Sequence, residues 1–539
     1  MLNQLAKMFQ FVPQSAPLPG QVANNAGGFA FEVDDWVKLD RFLILGTEGG
    51  TYYVTARKLT IQNAAAAQRC IAADGVRVVE RVREVSVSGR APKNDAAIFV
   101  LGLALKTGDL ATRRAASAAV PTVCRTGTHL FQLAEVVNTF GGWGRGTKRT
   151  FADWYVRKAP RDLAFQLVKY PSREGWSHRD ILRLAKPAGY GADTPHGALF
   201  AYAARAATPE RGFAAVDPSL VFVDAVEQAK TADVPHLRRL VREHRLPWES
   251  IPTPRLGETS VWRTLLEADA LPMGALLRNL ARMTANGTLV VGDANVDLVA
   301  ARLTDRKALS KARIHPLGVL AALVTYQSGK GARGQLTWQP VPKIVSALDK
   351  AFYAAFANVE PTGKRWYLAV DVSGSMDGGT LGGFPGISPR VGAAAMAMVT
   401  AKVEERCQVV GFTSSGGNWL GGGLTPIDVE DRRLDDVVRT MRGLPMGGTD
   451  CALPIVEATR RKLPVDVFVV YTDSETWAGN VHPALALRDY RAKMGIPAKL
   501  IVVGMVANGF TIADPKDAGM LDVVGFDAAA PAIMRGFAT

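Results

Sequence analysis

The chain has 539 residues, 48% hydrophobic and 21% charged, a globular composition too long for one core and expected to divide into about two to four domains. It has no apolar run of about 18 residues, which excludes a membrane-spanning helix, and its start, MLNQLAKMFQFVPQ, lacks the apolar stretch and cleavage site of a secretory signal. The net charge is +14, and Cys70, Cys124, Cys407 and Cys451 are spaced for neither disulfides nor metal, so a reducing cytoplasm is expected.

The charge is unevenly placed. From Lys364 onward 18 basic residues face 19 acidic ones, which leaves 46 basic against 31 acidic upstream. A polyanionic partner is therefore expected to meet the upstream part, although a basic solvated surface with no such partner gives the same count.

Residues 1–30, rich in Gly, Pro, Asn and Gln, read as an arm. From Asp34 the pattern is helical for about three hundred residues. KLTIQNAAAAQRCIAADG (58–75), VRVVERVREVSVSG (76–89) and NDAAIFVLGLALKTG (94–108) each carry apolar residues at three and four spacing and end in Gly. Similar stretches recur at 128–140, 147–157, 260–267, 272–285, 317–327 and 341–357. Short helices joined by brief connections predict stacked hairpins without a fixed period, an irregular helical solenoid.

At Pro361-Thr362-Gly363 strand-like runs begin to alternate with helices. Strands are expected at 366–370, 408–412, 465–471 and 500–506, with helices at 390–404, 434–442, 451–461 and 482–494. This alternation predicts a doubly wound α/β domain with a mostly parallel sheet, whose ligands sit at the carboxyl ends of strands. Asp371, Ser373 and Ser375 follow the first strand, Thr449 lies in the glycine-rich GGTDCALP, and Asp473 ends VFVVYTDSET. If those loops converge, two carboxylates and three hydroxyls form an oxygen shell for a hard divalent cation. The same residue types also merely end strands and cap helices.

The constellation resembles the metal-ion-dependent adhesion site of a von Willebrand factor A domain, with Asp371, Ser373, Ser375, Thr449 and Asp473 matching its motif one for one. The resemblance implies Mg²⁺ held by the three hydroxyls, with the two Asp acting partly through water. It extends further: DVFVVYTDSETWAGNVHPALALRDYRAKMGIPAKLIVVGM and NGFTIADPKDAGMLDVVGFD are similar to the C-terminal half of the Ro 60-kDa autoantigen family. GTEGGTYYV (46–54), CRTGTHLF (124–131), GGWGRGTKRTFADWY (141–155), GWSHRDILRLAKP (175–187), LLRNLARMTANG (276–287) and KARIHPLGVLAALVTY (311–326) resemble its TROVE module.

This resemblance implies an arm over 1–30, a HEAT-like ring of helical repeats over 31–363, and a closing von Willebrand factor A domain over 364–539. It also implies binding of small noncoding Y-like RNAs and of misfolded or 3′-ended RNAs in RNA quality control, with an exoribonuclease as a plausible partner.

The basic stretches are compatible with that role on their own terms. Arg145, Lys148 and Arg149 stand beside Trp143, Trp154 and Tyr155, and Arg173, Arg179, Arg183 and Lys186 surround Trp176 and His178. Cations neutralise phosphates while an aromatic face stacks an unpaired base. Arg179, Arg183 and Lys186 have helical spacing, so one face could track a backbone. The tryptophans serve equally as core residues, and His178 follows Ser177, a natural N-cap. The family resemblance places Lys169, Arg173 and His178 in an RNA-binding region, although Pro171 and Ser172 stand where the family is more basic.

No nucleophile elbow, phosphate-binding loop or clustered histidine set accompanies these features, so catalysis is not expected. The competing reading is a metal-dependent protein-interaction scaffold.

Overall fold

The structure is a computed structural model that describes residues 12–46, 56–204, 209, 211–312, 314–331, 335–356, 361–381, 384, 386–414, 423–444, 447–524, 526 and 530–539. Most of the GTEGGTYYV stretch lies outside them.

Helices fill the chain from Asp35–Leu45 to Pro342–Ala354. The two helices expected at 58–75 and 76–89 form one run, Ala56–Ser88, broken at Asp74 (φ −157°, ψ 83°). The Asp74 carboxylate accepts the Arg77 N–H at 3.0 Å and so caps the second half. Gly75 permits close approach there, because a Cβ on it would lie 2.2 Å from the Thr112 hydroxyl.

Each helix then packs on its near neighbours. Asp95–Thr107 meets Gly127–Thr139, Leu110–Val123 meets Arg145–Val156, and Arg145–Val156 meets His178–Ala185. Two short strands, β3 (Ser172–Arg173) and β4 (Trp176–Ser177), make a hairpin between these layers; β1 (Gln21–Ala23) and β2 (Phe29–Glu32) precede them in the chain.

The C-terminal sheet contains β5 (Arg365–Asp371), β6 (Arg406–Phe412), β7 (Leu424–Pro426), β8 (Val467–Thr472), β9 (Lys499–Gly504) and β11 (Met520–Val524). Their order is β11-β9-β8-β5-β6-β7, parallel except for β7, which pairs antiparallel with β6. Alternation divides the buried strands between two cores. Leu368 and Val370 face the core shared with the helical array, whereas Tyr367 and Ala369 face an outer core under the helices Leu453–Arg460 and Pro483–Met494.

The N-terminal segment is fastened to this domain. β1 and β2 form a hairpin, and β2 pairs antiparallel with β10 (Phe510–Thr511) so that Phe31 enters the outer core. Arg41 is buried, donating to the Asn508 and Phe510 carbonyls at 2.8 Å each and to the Asp522 carboxylate at 2.6 Å.

The other end of the array is fastened too. Gln327 donates to Asp435 at 2.7 Å, and the Phe352 and Phe526 rings stack with centroids 6.2 Å apart. The His315 ring meets the Arg90 carbonyl at 3.1 Å, so early and late helices also touch each other. Helical array and α/β domain therefore form a closed circuit. No helix among the described residues is long and apolar enough to cross a membrane.

Candidate functional site

In sheet order β6 lies on one side of β5, and β8 and β9 lie on the other. This reversal opens a crevice at the carboxyl ends of β5 and β8, where α/β sheets hold ligands. Asp371 closes β5 and Asp473 follows β8, so the register brings the two carboxylates to one edge.

All five predicted metal residues are buried: Asp371, Ser373, Ser375, Thr449 and Asp473 are each at most 5% exposed. Asp371 accepts the Ser373 N–H at 2.9 Å through one oxygen and the Thr472 hydroxyl at 2.8 Å through the other. The Ser373 and Ser375 hydroxyls are 3.0 Å apart. The Thr449 carbonyl accepts the Trp477 and Ala478 N–H groups at 3.1 and 3.0 Å, which ties the glycine-rich loop to the loop after β8.

Burial raises the Asp371 carboxyl above its ordinary range, against hydrogen bonds from Ser373 and Thr472 that lower it. Asp473 is pushed up to about 8, chiefly by burial and then by the negative charges of Asp371 and Glu475. Two buried carboxylates that repel each other beside hydroxyl oxygens fit a hard cation. No group of three or more His, Cys, Asp or Glu suited to a metal occurs among the described residues, so any such shell depends on the hydroxyls.

Sequence reasoning missed Arg390. It is 1% exposed and donates at 3.0 Å to both the Val372 and Ser373 carbonyls, with Asp377 as ion partner at 3.0 Å. It thereby grips the Ser373–Ser375 turn from the first turn of the helix Pro389–Ala401. The signal was a single arginine in PRVGAAAMAMVTA, a helix buried almost throughout.

The basic stretches divide differently from the expectation. Arg145, Lys148 and Arg149 are exposed on the helix Arg145–Val156, whose other face buries Thr150, Phe151, Trp154 and Tyr155. Arg173 is exposed in the β3–β4 hairpin beside Glu174, its ion partner at 3.0 Å, and Arg183 is exposed on the helix His178–Ala185 that packs against Arg145–Val156. Packing thus makes neighbours of segments that the sequence separates.

Three expectations need correction. His178 is 3% exposed, with Nδ1 2.8 Å from the Tyr155 hydroxyl and its ring 4.7 Å from that of Phe131, so it is a core residue and offers RNA no surface. Burial pushes its pKa down to about 4, which keeps the ring neutral. Lys169 has a side chain only 10% exposed, paired with Glu249 at 3.7 Å, and is mostly withdrawn from solvent. The face expected from Arg179, Arg183 and Lys186 is interrupted, because the helix ends at Ala185 and Lys186, still exposed, is its left-handed cap (φ 45°) while Arg179 is half-buried.

Trp154 is fully buried, its indole donating to the Cys124 carbonyl at 2.6 Å, and Trp143 packs on Trp176 with rings 5.5 Å apart. Gly127 belongs to the same cluster, since a Cβ on it would lie 3.0 Å from His178. The stretches CRTGTHLF, FADWY and GWSHRD therefore meet in one core.

A model of the TROVE domain matches residues 22–325, and a model of the Ro60 vWA domain matches residues 365–538. The chain belongs to the Ro60 family. Its curated relatives include a Deinococcus radiodurans protein named RNA-binding protein RO60, 42% identical over 522 residues that make up 96% of this chain and 95% of that protein. A Caenorhabditis elegans protein of the same name is 35% identical, covering 96% of this chain and 90% of its own. The crystal structure of the Deinococcus radiodurans RO (RSR) protein superimposes with a TM-score of 0.69 at 41% identity, covering 94% of this chain and 99% of that one. A Ro60 fold thus accounts for both halves of the molecule.

Proposed function

We propose that the chain is an RNA-binding protein whose contact surface is the exposed basic face of its helical half. The observation that carries this reading is the helix Arg145–Val156. Its inner face is core, and its outer face displays Arg145, Lys148 and Arg149, which have no ion pair among the described residues. Membership in the Ro60 family and the names of the relatives support it. The ligands are small structured Y-like RNAs and misfolded or 3′-ended RNAs, the setting is RNA quality control in the cytoplasm, and an exoribonuclease is the natural partner. The chain itself acts by binding.

A gel shift with a small structured RNA tests this. Replacing Arg145, Lys148 and Arg149 by Gln is expected to weaken binding by tenfold or more and to flatten its salt dependence, because each lost phosphate contact removes about one unit of log–log slope. Unchanged affinity and slope would leave the protein-interaction scaffold as the better reading.

The cluster at Asp371 is proposed as a Mg²⁺ site of the binding type. Ser373, Ser375 and Thr449 would hold the cation, with Asp371 and Asp473 balancing its charge, and the cation would offer its open positions to an acidic group of a partner. Mn²⁺ binding measured in Ser373→Ala tests the ligand set, with loss of stoichiometric binding as the expected result.

A further inference from the structure

The loops that carry Thr449 and Asp473 are held by the N-terminal segment, far away in sequence. Gln14 is fully buried and donates through its side chain to Asp450 at 2.6 Å and to the Val481 carbonyl at 2.9 Å. Its side-chain oxygen accepts from the Thr476 hydroxyl, which also reaches the Thr449 carbonyl at 3.2 Å. Asn24 donates to the Thr476 carbonyl at 2.6 Å, and Asn25 reaches both Glu475 oxygens, at 2.9 Å from its backbone N–H and 2.8 Å from its side chain. Gly28 lies so close that a Cβ on it would fall 2.0 Å from the Thr476 oxygen. A further contact comes through Asn508, which takes a hydrogen bond from Arg41 at 2.9 Å and donates to the Asp473 carbonyl.

We infer that residues 12–32 are a working part of the metal site, so that docking of this segment and binding of a divalent cation reinforce each other. The inference rests on the metal reading above and adds its regulation. Thr449 and Asp473 are supplied by two separate loops, and a cation gains from them only when both are fixed at the carboxyl edge of β5 and β8. The N-terminal segment bonds to the residues immediately beside each of them: Asp450 next to Thr449, and Glu475 and Thr476 just beyond Asp473. Release of the segment would free both loops together and take from buried Asp450 its Gln14 donor, leaving the Ala452 N–H, and from buried Glu475 both Asn25 donors. By linkage, whatever the docked segment adds to cation affinity the bound cation adds to docking. The same coupling lets any partner that pulls on the N-terminus open or close the cation site without touching it.

The test uses the full chain and Mn²⁺ alone. Gln14→Ala and, separately, Gly28→Val are expected to weaken Mn²⁺ binding by tenfold or more, read by calorimetry or by the free-Mn²⁺ resonance signal, although neither residue can contact the ion. In the unaltered chain, saturating Mn²⁺ is expected to slow chymotryptic cleavage at Leu18, Phe29 and Phe31 by a similar factor, and Ser373→Ala is expected to abolish that protection. Affinities within twofold of the unaltered chain, or cleavage indifferent to Mn²⁺, would overturn the coupling while leaving the metal site in place. Failure of the unaltered chain to bind Mn²⁺ would remove the metal reading itself and the coupling with it.

Discussion

Arg390 shows how one side chain can set the geometry of a site it does not enter. Its guanidinium holds two successive carbonyls of the turn between Asp371 and Ser375, which fixes the direction of the Ser373 N–H toward Asp371. Arg390→Met takes a donor from each carbonyl, leaving Ser373 only the Met376 N–H at 3.2 Å, and removes the ion partner of Asp377, so a loss of about 2–4 kcal/mol in urea unfolding is expected. His178 supplies a second test. Its pKa falls from 6.5 to about 4 on folding because it is buried. Between those values the unfolded chain holds a proton that the folded chain lacks, so stability declines as pH drops below 6.5 and the decline ends below about 4. This residue should contribute up to about 1.4 kcal/mol per pH unit, and His178→Phe should remove that part of the slope in unfolding titrations across the same range. That Asp371 and Asp473 share one edge was legible in the sequence because each ends a buried apolar run, whereas the family resemblance, and not spacing alone, singled out Ser373, Ser375 and Thr449 as candidate ligands. The role of His178 was not legible, since the family resemblance placed it in an RNA-binding region and only the packing of Phe131, Trp154 and Tyr155 around its ring makes it core.

At the scale of elements, long amphipathic helices and buried strands announced themselves by period. The expected stretch 94–108 is the helix Asp95–Thr107, and the expected strand 366–370 lies within β5. Elements of two to five residues did not, because β1, β2, β7, β10 and β11 owe their form to pairing with distant strands and carry too few residues to show alternation. The break at Asp74 lies between these cases: Gly75 marked the right place, but the chain bends there and continues as helix. Gly75→Ala should cost about 1–2 kcal/mol in thermal or urea unfolding, since the added methyl meets Thr112, although helix propensity alone favours alanine. A neutral or stabilising result would mean that Thr112 gives way and the close approach does not select glycine.

At the scale of the molecule, the two halves are less separable than the sequence suggested. The expected arm shares a sheet with β10, and Arg41 from the helical half is buried against Asn508, Phe510 and Asp522. A fragment beginning at Lys364 lacks Phe31 and Arg41, leaving an apolar gap and unpaired acceptors that should lower its stability by about 3–5 kcal/mol. Its melting is expected to be lower and broader than that of the intact chain, and a peptide covering residues 12–46 should restore part of the difference. A sharp transition unaffected by the peptide would show that the α/β domain stands alone.

The pairing of β2 with β10 also dictates an order of assembly. Phe31 and Arg41 leave the ribosome early, but Arg41 bonds to Asp522, 481 residues later. At about 5–20 residues per second their partners arrive only after some tens of seconds. Maturation one domain after another therefore leaves these contacts unmade until the C-terminal sheet follows. The segment that carries β2 reaches its native pairing only when β10, nearly five hundred residues later in synthesis, has been made.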